Sequence, residues 1–377
     1  MTTVLLTLGR LPKALAMARA CRAAGCRVLI AEPFRWHLCK PSRDVAASFR
    51  VTAPNSCLES YLGELLEIVR RESVDLVLPV SEEALHVARL VDRLPEGVRL
   101  GAAPESELAR LHHKVDFIHL ARQRGLAVPE TCLAGDERAG DLTARGDYVE
   151  KPVHSCSGIG LHFGRAGDPA RSASNDTLVQ EKLEGALVSS LSLVHDGREL
   201  GTVFYRGTVF AGTVAICFER LDEAPSAQRW VSKFVSGSAY SGFLAFDFIV
   251  DERGEARAIE CNPRATSGLH FFEPAALGRA LLEPQSVTEI ALVEKRRFQW
   301  ALSTLTETYA ALFRPREFRR RFAELASARD VLWSLRDPLP FLLMTPMSWE
   351  ILWPAMTSAT TLGEATQRDI AWFGGSA

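Results

Sequence analysis

The sequence has 377 residues, 47% hydrophobic and 24% charged, with a formal net charge of −2 at pH 7. That length holds two or three domains with real cores, and the composition is that of an ordinary globular chain. The near-neutral balance leaves no electrostatic case for nucleic acid or an acidic membrane surface as partner.

Taken in chain order, Val4 to Thr7 reads as a short strand, Leu11 to Ala24 as a helix ended by Gly25, and Arg27 to Ala31 as a second strand. Strand, helix and parallel strand make a βαβ unit. An amphipathic helix over Tyr61 to Glu72 comes next, then strands over Val74 to Val80 and Val98 to Gly101, so residues 1–103 are expected to form an open α/β domain. Only Gly9 stands where G-x-G-x-x-G would follow the first strand, which excludes an ordinary NAD site. Ser81, Glu82 and Glu83 follow a parallel strand, where open α/β sheets place ligand contacts; an acidic helix N-terminus explains them equally well. Pro104 to Gly125 reads as helical, and its adjacent His112 and His113 cannot share a helix face, which makes poor metal geometry. Asp147 to Pro152 is a predicted strand. The loop after it, His154 to Gly160, is built of small residues whose backbone N–H groups can approach phosphate oxygens. Ser190 to Phe204 reads as a hairpin around Asp196-Gly197, and Thr208 to Phe218 as another strand. Asp222 to Gly237, with Pro225, Arg229 and Lys233, reads as a polar loop, either beside the site or plainly solvated.

The most informative stretch is Gly242 to Phe272. Phe243 to Val250 is apolar except for Asp247, Asp251 to Gly254 supplies turn chemistry, and Ala256 to Asn262 is the return strand. Side chains alternate along a strand, so Glu260 and Asn262 share a face. A four-residue loop over Glu252 to Glu255 would set Asp247 opposite Glu260, with Cβ atoms about 5 Å apart. Two such carboxylates repel, and one takes up a proton unless a cation lies between them. Mg²⁺ takes oxygen ligands and leaves positions open for substrate phosphates. Pro263 ends the strand, and the Arg264 guanidinium can reach a phosphate or carboxylate beside such a metal.

The run FDFIVDERGEARAIECNPR resembles the metal-binding strand pair of the ATP-grasp superfamily. The resemblance covers roughly residues 1–275 through four motifs in order, and it implies an ATP-grasp fold of the α/β class. The implied division is an N-terminal pre-ATP-grasp domain (1–103), a central subdomain (104–182), a metal-binding and substrate subdomain (183–295) and a C-terminal helical appendage (296–377). It implies ATP and Mg²⁺ as cofactors, with Mn²⁺ an alternative, and Asp247, Glu260 and Asn262 as metal ligands. Lys114, Lys151 and the loop residues Ser155, Ser157 and Gly158 would contact the phosphates. From the motif Thr177 to Gly185, Glu181 and Leu183 would meet adenine, Glu184 would lie near the ribose, and Gln180 would be a further ATP-binding residue. Ala186 departs from the family, which often carries an acidic residue there. Arg264 and Lys151 would be the catalytic cations, and Arg264, Ser267, Gly268 and Arg229 would meet substrate. Members of this superfamily mostly activate a carboxylate as an acylphosphate and couple it to an amine. Phosphorylation of an enol or hydroxyl, as in the mycosporine-glycine branch, and nucleotide binding without turnover are the competing readings.

Beyond Phe272 the chain is expected to be helical, first over 276–295 and then through an appendage carrying Trp333, Trp349, Trp353 and Trp372. Two prolines and Glu350 interrupt its apolar run LPFLLMTPMSWEILW, which points to a packed surface or homodimer contact rather than a membrane span. The eight cysteines form no CxxC, and the start MTTVLLTLGR lacks a charged leader with a long apolar run. Reduced thiols, no zinc site and a cytoplasmic location are therefore expected.

Overall fold

The computed structural model describes residues 1–155, 160–357 and 362–374. Ser157 and Gly158, expected at the phosphates, lie outside the described residues, as does Cys156. The first sheet is parallel, in the order β3-β2-β1-β4-β5: β1 (Thr3–Leu6), β2 (Arg27–Glu32), β3 (Ala47–Arg50), β4 (Leu76–Leu78) and β5 (Arg99–Leu100). Val4, Leu5 and Leu6 are all fully buried, because crossover helices cover both faces of the sheet. Helix α1 (Pro12–Ala23) opens on Pro12, whose missing N–H costs nothing in a first turn. Helix α2 (Leu58–Arg71) buries Tyr61, Leu62, Leu65, Leu66 and Val69 at helical spacing. Strand β3 is an edge strand with no buried residue, so its sequence carries no apolar pattern to reveal it. A short helix α3 (Ala84–Val87) lies after β4.

The helix expected over 104–125 is two helices, α4 (Glu105–His112) and α5 (Lys114–Gln123). His113 leaves helical geometry at ψ 105°, and its Nδ1 accepts the Asp116 N–H as a cap. Lys114 is thereby set in the first turn of a new helix. Strands β6 (Thr131–Leu133), β7 (Tyr148–Pro152), β8 (His162–Gly164) and β9 (Thr177–Glu181) make an antiparallel sheet ordered β6-β9-β7-β8, with helix α6 (Arg138–Arg145) between β6 and β7.

A seven-stranded sheet forms the largest layer of the molecule. Its strands are β10 (Ala186–His195), β11 (Arg198–Ala211), β12 (Val214–Arg220), β13 (Gly242–Val250), β14 (Ala256–Asn262), β15 (Arg297–Gln299) and β16 (Arg329–Asp330), in the order β14-β13-β10-β11-β12-β15-β16. The single strand expected over 208–218 is instead the end of β11, a turn at Gly212 and the start of β12. The loop expected over 222–237 contains helix α7 (Pro225–Val235), which buries Ala227, Trp230, Val231, Phe234 and Val235. Its Trp230 and Phe234 rings pack on Phe246 and on Phe117 of α5. Each such fully buried ring contributes about 2 kcal/mol.

The opposite face of the sheet has two ends. At one end Phe243, Ala245, Leu191 and Val203 join a core with helix α8 (Pro274–Leu282) and α1. The two helices cross at Gly278, where an added Cβ would come within 2.1 Å of the Ala20 carbonyl oxygen. At the other end of this face lie Asp247 and Glu260. The helix expected to run to 295 stops at Leu282. The appendage is not wholly helical, since it contributes β15 and β16 to the sheet. Its run from Leu339 breaks into short helices over Leu339–Leu342, Met344–Met347 and Trp349–Thr357. Among the described residues no helix is long and apolar enough to cross a membrane.

Candidate active site

The β13–β14 hairpin places Asp247 directly opposite Glu260, and Ala245 opposite Asn262. The route differs from the four-residue loop expected from the sequence. Val250 pairs with Ala256, so the loop has five residues, Asp251 to Glu255. That register alone would set Asp247 against Ile259 and turn Glu260 to the other face. A bulge between the Phe248–Ala258 and Asp247–Glu260 pairs corrects it by one residue. Outside the regular ladder, the Ile259 carbonyl accepts hydrogen bonds from Lys151 Nζ at 3.3 Å and Gln180 Nε2 at 3.4 Å.

Asn262 Nδ2 lies 3.4 Å from an oxygen of each carboxylate. Ser189, paired with Asp247 across β10, donates its hydroxyl to Asp247 Oδ1. Burial, then the neighbouring Glu260 charge, pushes the Asp247 carboxyl upward toward the neutral form. Burial would raise Glu260 as well, but the Lys114 and Lys151 ammoniums hold it below the usual carboxylate range. Lys151, 3.9 Å from Glu260, is itself drawn down to about 8 by burial, against the pull of Glu260. The two carboxyls are thus driven apart, Asp247 upward and Glu260 downward, at the place where a cation would fit. Among the described residues no group of three or more His, Cys, Asp and Glu is placed to hold a metal. The donor set here is two carboxylates and an asparagine, all oxygen ligands of the kind Mg²⁺ takes.

These groups line one end of a cavity of about 540 Å³ that runs along the sheet face. Its walls include Lys114, Lys151, Ser155, Asp247, Glu260, Asn262, Arg264 and Ser267, gathered from three separate parts of the chain. Lys114 Nζ donates to the Ser155 carbonyl at 2.9 Å and to its hydroxyl at 3.2 Å, which ties α5 to the start of the small-residue loop. Arg264 pairs with Glu82 at 2.6 Å and donates to Asn262 Oδ1 at 3.0 Å. Glu82 is buried. Burial alone would raise its carboxyl, yet Arg264, His112 and Lys13 hold it low. The Ser81-Glu82-Glu83 turn thus ties the first sheet to the end of β14: Glu83 accepts the Val80 and Ser81 N–H groups, and Ser81 accepts from Lys13 Nζ at 3.0 Å.

Other expected residues lie elsewhere. Gln180 is buried and bonded to Thr131 and Ile259, and Glu181 pairs with Arg257. Leu183 is half-buried, and exposed Glu184 pairs with Lys182. None of the four is among the residues lining the cavity, whereas Leu187 is. Gly268 serves packing, since an added Cβ would come within 2.7 Å of Leu191 Cβ. Arg229 is a correction. It sits on the exposed side of α7, and α7 packs on the face of the sheet opposite Asp247. The segment is a helix rather than the expected loop because Ala227, Trp230, Val231 and Phe234 fall on one helical stripe.

Sequence reasoning missed Lys13, Ser189, Tyr205, Thr366 and Gln367. Lys13 had a signal, a lysine in the first turn after the first strand of an open α/β sheet. Ser189 and Tyr205 needed the strand register, and Thr366 and Gln367 the tertiary fold.

A family model described as an ATP-grasp domain matches residues 112–268, the span from the end of α4 through both strands of the β13–β14 hairpin. This chain carries an ATP-grasp domain. The solved structures it resembles include the biotin carboxylase domain of 2-oxoglutarate carboxylase from Hydrogenobacter thermophilus, a dimer with MgADP, ADP and bicarbonate. That match has 15% identity and a TM-score of 0.60 over 75% of this chain and 70% of the other. N5-carboxyaminoimidazole synthetase from Staphylococcus aureus matches at 12% identity and 0.61, covering 77% and 80%. An L-amino acid ligase from Bacillus licheniformis matches at 14% and 0.56, covering 74% of each chain. At these identities the likeness shows the ATP-grasp fold. No curated protein matches the sequence.

Proposed function

We propose that this protein is an ATP-dependent ligase that activates a carboxylate as an acylphosphate and couples it to an amine, releasing ADP and phosphate. The observation that carries the reading is the Asp247–Glu260 pair, closed by Asn262 and ringed by Lys114, Lys151 and Arg264 at one end of a cavity. Phosphoryl transfer asks for positioning and charge neutralisation and needs no nucleophilic side chain. Lys114 and Lys151 would hold the phosphates, and Arg264, aimed by Glu82, would orient the acceptor carboxylate. Mg²⁺ on Asp247, Glu260 and Asn262, with Mn²⁺ as a substitute, would neutralise charge on the triphosphate. The carboxylate oxygen takes the γ-phosphoryl group; the amine nitrogen then bonds to the acyl carbon and phosphate leaves. Names such as L-amino acid ligase among the structural relatives agree with this chemistry.

The four-part division at 103, 182 and 295, a cytoplasmic location and a homodimer belong to the same proposal. The test is ADP release with Mg-ATP and a panel of carboxylate–amine pairs, with hydroxylamine added to trap an acylphosphate. Hydroxamate formation supports the ligase. ADP release with a hydroxyl acceptor and no hydroxamate would move the assignment to hydroxyl phosphorylation.

A further inference from the structure

The family match ends at residue 268, yet the cavity has a wall from the far end of the chain. Gly363, Thr366 and Gln367, on the short helix Leu362–Gln367, line it together with Lys13 and Arg264. Two anchors hold this segment in place. Asp369 takes both Arg10 Nη1 (2.6 Å) and Nη2 (2.8 Å), and Asn55 Nδ2 donates to the Arg368 and Ala371 carbonyls at 3.0 and 2.9 Å. Between them Ile370 is buried in the core, and beyond them the Trp372 ring meets His154 at 4.8 Å, next to Ser155. The chain's last described turn is thus fixed to the first sheet and to the root of the phosphate loop at once.

Gln367 is more than nine-tenths buried, and its polar atoms are poorly satisfied. Nε2 has a long contact of 3.5 Å to Ser81, and Oε1 has no hydrogen-bond partner. A buried amide oxygen without a donor is uncommon and calls for a partner from outside the chain, an ordered water or a ligand. Gln367 is among the residues that line the cavity. The same cavity has apolar lining residues, among them Ile216, Phe218, Trp300 and Val331.

We propose that the segment Leu362–Gly374 is the acceptor wall of the active site, and that Gln367 selects a carboxylate with an apolar body and an N–H or O–H donor. The inference rests on the ligase reading for the existence of an acceptor, and it adds the acceptor's class and a specificity residue. Gln367 lies well outside the family match, so it differs from the residues that hold nucleotide and metal.

The test uses the full chain with Mg-ATP and matched probes: 4-methylpentanoate against leucine, and 3-phenylpropanoate against phenylalanine and 3-(4-hydroxyphenyl)propanoate. Binding is followed by calorimetry and by thermal shift. In the wild type the donor-bearing member of at least one set binds about tenfold more tightly, the ratio that one ordinary hydrogen bond gives. In Gln367→Leu that ratio collapses toward one while the Mg-ATP shift keeps its wild-type size, which also shows that the variant is folded. Asp369→Asn weakens binding of the same probe without changing the Mg-ATP shift, because Arg10 retains Glu32. Equal binding of the matched probes to the wild type, a ratio that survives Gln367→Leu, or no probe binding beside an intact Mg-ATP shift would each overturn this inference alone. Loss of the Mg-ATP shift in the wild type would instead overturn the ligase reading beneath it.

Discussion

Two carboxylate pairs among the described residues are finished differently: buried Glu32 with half-buried Asp369, and half-buried Asp247 with Glu260. In the first, Arg10 sits between Glu32 and Asp369, with its guanidinium 3.4 Å above the Phe34 ring. Glu32 also accepts the Gly9, Arg10 and Phe34 N–H groups, so every charge in the set is answered within the chain. In the second, Asp247 and Glu260 face each other, and Lys151 pairs with Glu260 at 3.9 Å. Burial, and then the Glu260 charge, push Asp247 toward its neutral form. A carboxylate pair with its own cation is an anchor. A close pair whose charges repel is where we propose that a metal cation sits.

The largest effect should come from removing one charge of the unfinished pair. Glu260→Gln keeps the shape and would leave too little charge for the proposed metal and phosphates. We expect ADP release to fall by about 10³, the scale of a charge stabiliser in phosphoryl transfer. Stability without ligand should change by less than about 1 kcal/mol, since relief at Asp247 is offset by the loss of a partner for Lys151. An active variant in the ADP assay would remove the metal site.

The same operation on the finished pair should do the reverse. Arg10→Met strands Glu32 and Asp369 without their cation and should cost about 3 kcal/mol in chemical denaturation. Among variants that remain folded, binding of Mg-ATP should be nearly unchanged. If Arg10→Met unfolds at the wild-type midpoint, the triad is not an anchor.

A third comparison weakens the unfinished site without breaking the pair. Mg-ATP at about 100 times its dissociation constant should stabilise the wild type by about 2.7 kcal/mol. Lys151→Ala would remove the charge-assisted bond we propose to phosphate and should raise that dissociation constant about 30-fold, or about 2 kcal/mol. A titration with normal affinity would show that Lys151 does not face nucleotide.

How much of the site is legible in the sequence depends on distance along the chain. The β13–β14 hairpin is local: a period of two, a turn and a Pro stop are enough to put Asp247, Glu260 and Asn262 on one face. Even there the correct pairing comes by a wrong loop length, because a bulge at Ile259 leaves no mark in composition. The order of motifs places Lys114, although the helix break at His113 that positions it has no apolar or Gly signal. The anchor is invisible. Arg10 and Asp369 are 359 residues apart, and each looks like an ordinary surface charge. The Glu82–Arg264 clamp, 182 residues apart, is hidden for the same reason. Arg229 is misplaced when the polar composition around it is weighed above the helical stripe running through it.

The smallest expected effect concerns a neutral group beside the finished pair. His37 is buried next to Gly9, with Nε2 2.7 Å from Ser48 Oγ. Burial draws its imidazole down to about 4; Glu32 pulls upward, while Lys40 and Arg10 push further down. An unfolded histidine titrates near 6.5. Between those two values the unfolded chain binds the extra proton, so stability falls as the pH falls. The contribution is intact above about pH 6.5 and is lost progressively toward pH 4. From pH 7 to pH 5.5 one such group should cost about 1 kcal/mol. His37→Gln keeps a polar partner for Ser48 and cannot take the proton. Urea midpoints at the two pH values should therefore drop further in the wild type than in the variant, by that amount. Other buried histidines titrate equally in both proteins and cancel in the difference. Equal drops would mean that His37 is not held neutral, and that the anchor around Arg10 tolerates a second cation.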